Sequence, residues 1–272
     1  MNELQKTLFE LLIPAVQVCE KLGLDYYLVC GSALGAVKYH GFIPWDDDMD
    51  IGLPRPDYER FLREAPALLP EELFLQNYRT DPEFPHIFSK LRHSGTTLIE
   101  HNTAHLDIHH GICIDIFPLD GYPAGKWEQT LFEVKKKLYN WMRFCALAKG
   151  PDPKVEFRNS IFRLMGFHRR TAKTIAKLEQ LLAQYPAENS EIWCNHGNWQ
   201  EKLEYAPRWH YGRGAEMTFE GLRVRVPENY DAYLSQKYGD WRSDPPEEKQ
   251  CSHHSYRVCD VHRPYTDYIK KK

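Results

Sequence analysis

Residues 41–55 read GFIPWDDDMDIGLPR, and they set the fold problem, because four carboxylates, Asp46, Asp47, Asp48 and Asp50, crowd into a run that is otherwise apolar. An Asp-rich run is most often a solvated loop. Here Phe42, Ile43, Pro44 and Trp45 precede it and Ile51, Leu53 and Pro54 follow it, which suits an ordered segment better. MDIGL has the composition of a strand. Asp48 and Asp50, two residues apart, would then emerge on one face while Met49 and Ile51 take the other. Two like charges on one face call for a cation between them. A calcium loop of the EF-hand type fits Asp46, Asp48 and Asp50 as its first, third and fifth ligands, but fails at the sixth position, Ile51, and the twelfth, Asp57. A glycosyltransferase DxD shares the dipeptide spacing and is not excluded by it.

Working outward, YYLVCGSALGAV (26–37) reads as strand, turn and helix. Gly31 and Ser32 at its turn offer backbone amides and a hydroxyl to a phosphate, although a Gly-Ser pair alone is more often only a turn. Sixteen residues from Ser32 to Asp48 allow one short helix and a return strand beside the first. Downstream, the alternation of Ile112, Ile114 and Ile116 in GICIDIFPLDG (111–121) is the clearest strand signal in the chain. Asp115 lies within it, as a carboxylate that either faces solvent from an edge strand or completes a set with Asp48 and Asp50 able to hold hard cations such as Mg²⁺. LFLQN, HIFSKLRH and TTLI are further candidate strands. Lys90 and Arg92 alternate on one face of the second of these, as a solvated edge or as partners of phosphate.

The 272 residues suffice for a sizeable core, and 42% hydrophobic with 27% charged residues is the balance of an ordinary globular protein. With 35 Lys and Arg against 38 Asp and Glu, no sequence-independent grip on nucleic acid is expected. Seven scattered cysteines without a CxxC pair read as free thiols of a reducing, cytoplasmic compartment. The first residues lack the features of a signal peptide, and no run reaches the roughly 18 apolar residues of a membrane span. Leu4, Leu8, Leu11, Leu12, Ala15, Val16 and Cys19 recur at helical spacing, with Pro14 as an expected kink. The chain reads as one domain over 1–272, with a mostly helical, basic and aromatic insertion at about 125–186. EMTFEGLRVRVP then predicts a hairpin turning at Glu220 and Gly221, and YDAYLSQKYG a short helix. The C-terminal part carries no assignment.

Taken together, YYLVCGSALGAV, HGFIPWDDDMDIGLPRPDYERF, KLR, GICIDIFPLDG, FEGLRVRVPENYDAYLSQKYGDW and PPEEKQCSHH resemble the LicD family, the bacterial phosphocholine transferases related to fukutin and fukutin-related proteins. The likeness runs from about Tyr26 to His254 with the blocks in order. One departure is VKYHGF, where Lys38 stands for a frequent Arg. The resemblance implies an α+β, nucleotidyltransferase-like fold of the polymerase-beta type. It also implies transfer of a phospho-substituent, with CDP-choline the favoured donor, to a glycan hydroxyl, releasing CMP. Such a glycan would be a teichoic acid precursor or a lipopolysaccharide, met in the cytoplasm or, if lipid-linked, at the inner membrane face. On this reading Asp46, Asp48, Asp50 and Asp115 bind Mg²⁺ or Mn²⁺, with the last three catalytic, and Gly31, Ser32, Lys90, Arg92, His253 and His254 meet the donor. Choline would seek aromatic faces, for which Trp193, Trp199, Trp209 and Tyr211 form a group. A transferase of nucleotides that releases pyrophosphate, and a non-catalytic metal or glycan binder, are the competing readings.

Overall fold

The computed structural model describes residues 1–147, 152–197, 203–252 and 254–269. Its first helix, α1 (Glu3–Leu22), starts where Asn2 and Gln5 exchange side-chain and backbone hydrogen bonds in a capping box, and stops at Gly23, whose φ of 64° suits glycine. The helix continues through Pro14, and the apolar stripe read from the sequence is its buried face. Gln5, on the first turn, also donates through Nε2 to the carbonyls of Ile43 (3.3 Å) and Asp46 (2.9 Å), so α1 holds the start of the acidic loop.

A mixed sheet follows. Strand β1 (Tyr27–Leu28) lies antiparallel to β2 (Asp50–Pro54), and between them run α2 (Cys30–Leu34) and a π-helical turn over Gly35–Tyr39. After α3 (Arg55–Glu64) come β3 (Leu73–Gln76), β4 (Ser89–His93) and β5 (Thr97–Glu100), then the long β6 (Cys113–Gly121). The order is β1-β2-β6-β4-β3, with β2 and β6 parallel and the other neighbours antiparallel. β6 is therefore a central strand, and its residues are buried apart from the half-buried Asp115. The solvent-facing edge reading of Asp115 does not hold.

Helices α4 (Lys126–Phe144), α5 (Pro153–Leu164) and α6 (Thr171–Leu182) follow β6. The pattern after Lys154 is broken into two helices by Gly166, at φ 77°, and a 3₁₀ turn. Phe132 of α4 packs with Ile175, Leu178, Leu181 and Leu182 of α6 and with Ile87 in a small core separate from that of the sheet. The chain then adds β7 (Ile192–Cys194) against the end of β6, and β8 (Tyr205–Pro207) against β7, two short strands the sequence pattern did not announce. The expected hairpin is β9 (Ala215–Phe219) and β10 (Leu222–Val226), turned by Glu220 and Gly221 with positive φ at both, the geometry that matches strand twist. Beyond α7 (Tyr230–Tyr238), the unassigned C-terminal part forms β11 (Tyr256–Asp260), which pairs with β5.

Candidate active site

Adjacent strands bring three charges into one row. Asp50 on β2 is level with Asp115 on β6, and Asp115 is level with Lys90 on β4. Residues in register point to the same face of a sheet, so two carboxylates and one ammonium stand side by side. Lys90 Nζ lies 2.9 Å from Asp115 Oδ1 and 3.4 Å from Glu100 Oε1. The strand expected at MDIGL begins only at Asp50. Asp46 and Asp48 stand in the approach to it, and the ladder is prolonged by one bond in which Asp115 N–H donates to Met49 O.

Gly31 and Ser32 reach this row from the other side. The Ser32 hydroxyl accepts the backbone N–H of Asp50 at 2.8 Å, tying the turn after β1 to the first residue of β2. At Gly31 a Cβ would come within 2.7 Å of Asp46 Oδ2, so the glycine makes room for that carboxylate. Cys30 holds a left-handed conformation, φ 55°, rare for a residue with a side chain, and its N–H donates to the Tyr233 hydroxyl of α7. Behind it Lys237 pairs with Glu204. Tyr233 and Lys237 lie in the block FEGLRVRVPENYDAYLSQKYGDW without a site role expected for them, and Glu204 lies in none of the quoted blocks.

Asp47 is the acidic residue with no chemical role expected from sequence, yet it holds the roof of the site. Its two oxygens accept from Ser252 Oγ (2.5 Å) and meet His254 Nδ1 (2.8 Å), while His254 Nε2 lies 3.6 Å from Asp48. The C-terminal segment is thereby drawn across the carboxylates. A cleft of about 350 Å³ results, with Asp48, Asp115, Lys90, Glu100, His254 and Tyr256 among its walls.

The charges are strongly perturbed. Burial, then Asp48 and Asp47, pushes Asp46 up to about 8. Asp50, only 6% exposed, is raised well above the carboxylate range by burial and by Asp48, Asp115 and Asp46. Burial raises Asp48 as well, against the pull of His254. His254 is lifted to about 9, first by its hydrogen bond to Asp47. Glu100 is held down at about 2 by Lys90. Clustered carboxylates that resist ionisation mark a place built for positive charge. Among the described residues, no group of three or more His, Cys, Asp and Glu is already gathered tightly enough to hold a metal ion. The counter-charges in place are Lys90 and His254.

Several expected residues lie elsewhere. Arg92, 2% exposed, donates to Gln76 Oε1 (2.5 Å) and Gly111 O (2.6 Å) inside the sheet and does not line the cleft. His253 lies outside the described residues. Of the aromatic group, Trp193 and Tyr211 are core, Trp209 is exposed away from the cleft, and Trp199 is not among the described residues. The ring at the cleft is Tyr256, on the strand the sequence left unassigned.

Residues 23–139 match the family described as LicD/FKTN/FKRP, nucleotidyltransferase domain. The LicD-family match thus covers the part of the chain that carries Gly31, Asp50, Lys90 and Asp115. The chain is 27% identical to the lipopolysaccharide cholinephosphotransferase LicD of Haemophilus influenzae, over 87% of this chain and 89% of that one. Uncharacterized proteins of Rickettsia typhi and Rickettsia prowazekii are 35% and 37% identical over 22% and 19% of the chain. No helix among the described residues is long and apolar enough to cross a membrane.

Proposed function

We propose that the chain transfers a phospho-substituent, phosphocholine above all, from a CDP-linked donor to a hydroxyl of a surface glycan or its precursor, with release of CMP. The observation that carries this reading is the row Asp50, Asp115 and Lys90, in register across three strands, of which Asp115 and Lys90 wall a cleft roofed by His254. The cargo rests on the likeness to the Haemophilus enzyme. The fold is read as nucleotidyltransferase-like from the family description.

The donor set fits a hard cation. It is all carboxylate oxygen, and Asp50 is buried with three acidic neighbours. Asp46, Asp48, Asp50 and Asp115 would hold Mg²⁺, or Mn²⁺, which when bound neutralises charge on the donor phosphates. Gly31 and Ser32 present the turn beneath those phosphates. Lys90 pairs with Asp115 and supplies positive charge beside the reacting phosphorus. Asp115, on the cleft wall, accepts the proton of the attacking sugar hydroxyl. His254, held protonated by Asp47, covers the site and adds a second positive charge. The ring of Tyr256, level with Glu100 on the facing strand, offers the quaternary ammonium of choline an aromatic face beside a carboxylate.

Incubation with Mg²⁺ and CDP-choline, CDP-glycerol or CDP-ribitol, with and without candidate glycans, tests the proposal. CMP release fastest from CDP-choline and dependent on the glycan is the expected result. Pyrophosphate release from a nucleoside triphosphate would make the protein a nucleotidyltransferase instead. No preference among the three donors would remove choline from the assignment.

A further inference from the structure

Most of the large apolar side chains exposed among the described residues sit on two helices of the insertion. On α4 they are Trp127, Leu131, Val134 and Leu138, of which Trp127 is 87% exposed. Their spacing of four, three and four residues places them within one narrow stripe. The opposite face, with Phe132, Lys136 and Arg143, is turned into the protein, so the stripe is a second apolar face and not a misplaced core. On α5 the same spacing recurs at Phe157, Ile161 and Leu164, the last 90% exposed. α5 packs on α4, so the two stripes are carried by neighbouring helices.

The charge around them is one-sided. Residues 126–182 carry 13 Lys and Arg against 5 Asp and Glu, whereas the whole chain carries 35 against 38. Exposed Lys135 and Lys137 fall on the two sides of the α4 stripe, and Arg169 and Arg170 are exposed in the turn after α5. Lys137 and Arg158 also stack on Trp141, holding cations beside the stripe. A helix with an apolar stripe, an aromatic residue at one end and lysines on both flanks has the pattern of one that lies in a lipid interface. A second protein surface would match the apolar stripe but gives no reason for the excess positive charge, which an anionic bilayer does.

We propose that α4 and α5 form a docking face by which the protein lies on an anionic membrane, the apolar stripes entering the headgroup boundary and the basic side chains meeting lipid phosphates. The face does not depend on the transfer chemistry proposed above, so it is tested without it. The full chain is mixed with vesicles of phosphatidylcholine containing phosphatidylglycerol, and with vesicles of phosphatidylcholine alone, and floated. Binding to the first, weakened by salt and about tenfold or more weaker to the second, is expected. Leu131→Ser with Leu138→Ser should lower vesicle affinity by on the order of a hundredfold, and Lys135→Glu with Lys137→Glu by about tenfold, with unchanged thermal melting in both. Quenching of tryptophan fluorescence by brominated lipid should fall in Trp127→Phe. Flotation with neither vesicle would overturn the proposal. So would a dimer in light scattering that Leu131→Ser with Leu138→Ser converts to a monomer, since the stripe would then be covered by a second copy.

Discussion

The parallel strands β2 and β6 end in opposite electrostatic solutions. At their start Asp50 faces Asp115, a like-charged pair with Asp46 and Asp48 pressed close. Five residues on, Arg55 meets Asp120 in a bidentate pair, Nε to Oδ1 and Nη2 to Oδ2 both at 2.7 Å, with Glu179 of α6 taking the remaining nitrogen at 3.3 Å. Asp120 is fully buried and still satisfied. One end of the pair of strands is balanced from within the chain and serves the fold. At the other the carboxylates outnumber the cations, and stability is given up where a positively charged ligand can restore it.

The widest separation of the two ends is in activity. Asp50→Asn should lower transfer by about a thousandfold or more, because a neutral amide brings no negative charge to a hard cation in its place. Its melting temperature should hold or rise, since the substitution relieves repulsion in the buried cluster. Donor turnover measured beside thermal unfolding checks both halves. An Asp50→Asn protein that keeps its activity would place the chemistry elsewhere.

Arg55→Met is the converse experiment. It leaves Asp120 buried without its charge partner and should destabilise the fold by about 3–5 kcal/mol, read by urea unfolding, while donor turnover per folded molecule stays within a few-fold. Equal loss of turnover and stability in this variant would erase the distinction between the ends.

How far the sequence announced this contrast depends on the reach of each signal. Strand alternation around Asp115 and the aspartates around Met49 were legible because both lie within a few residues. So were the hairpin at Glu220 and Gly221 and the stripe of α1. Alternation puts Arg92 on the face of Lys90, and the family resemblance is what points that pair towards phosphate. The burial of Arg92 depends on Gln76 and Gly111, partners sixteen and nineteen residues away. The role of Asp47 depends on Ser252 and His254, some two hundred residues on, and β11 on its pairing with β5. Such contacts leave no local periodicity. The family resemblance supplied the order of the blocks and did not indicate which aspartate would carry the roof.

A third test separates the sheet from the site by pH. Burial, with Arg92 and His110 nearby, holds His109 down at about 3. Its Nδ1 accepts from Gly111 N–H at 3.1 Å, and its Nε2 lies 3.1 Å from Ser94 Oγ, which fixes the neutral ring. The folded-state value lies below the unfolded one near 6.5, so the stability is complete above pH 6.5 and drains as pH falls towards 3. At pH 5 the loss is about 2 kcal/mol, and it should vanish in His109→Phe, which keeps the stack on Phe74. Melting temperatures between pH 7 and pH 5 decide it. An unchanged slope in the variant would assign the acid sensitivity to another group.

The smallest effect is expected at Asp47, and it asks whether the acidic end also does structural work. Asp47 differs from its neighbours in lying below the usual carboxylate range. Burial alone would raise it, but hydrogen bonds from His254 and Ser252 outweigh that. Asp47→Asn keeps the shape and loses the ionic part of the contact, about 1 kcal/mol for a partly exposed pair after solvent screening. Global unfolding should barely move. Amide exchange at Ser255 and Tyr256 should quicken by about fivefold, because the segment is then held mainly by β11. The KM for the donor should rise by about the same factor with kcat retained, since the roof confines the donor without touching the reacting oxygen. Faster exchange with no change in KM would make His254 a fold contact only and leave Asp48, Asp115, Lys90 and Glu100 as the charged walls of the cleft.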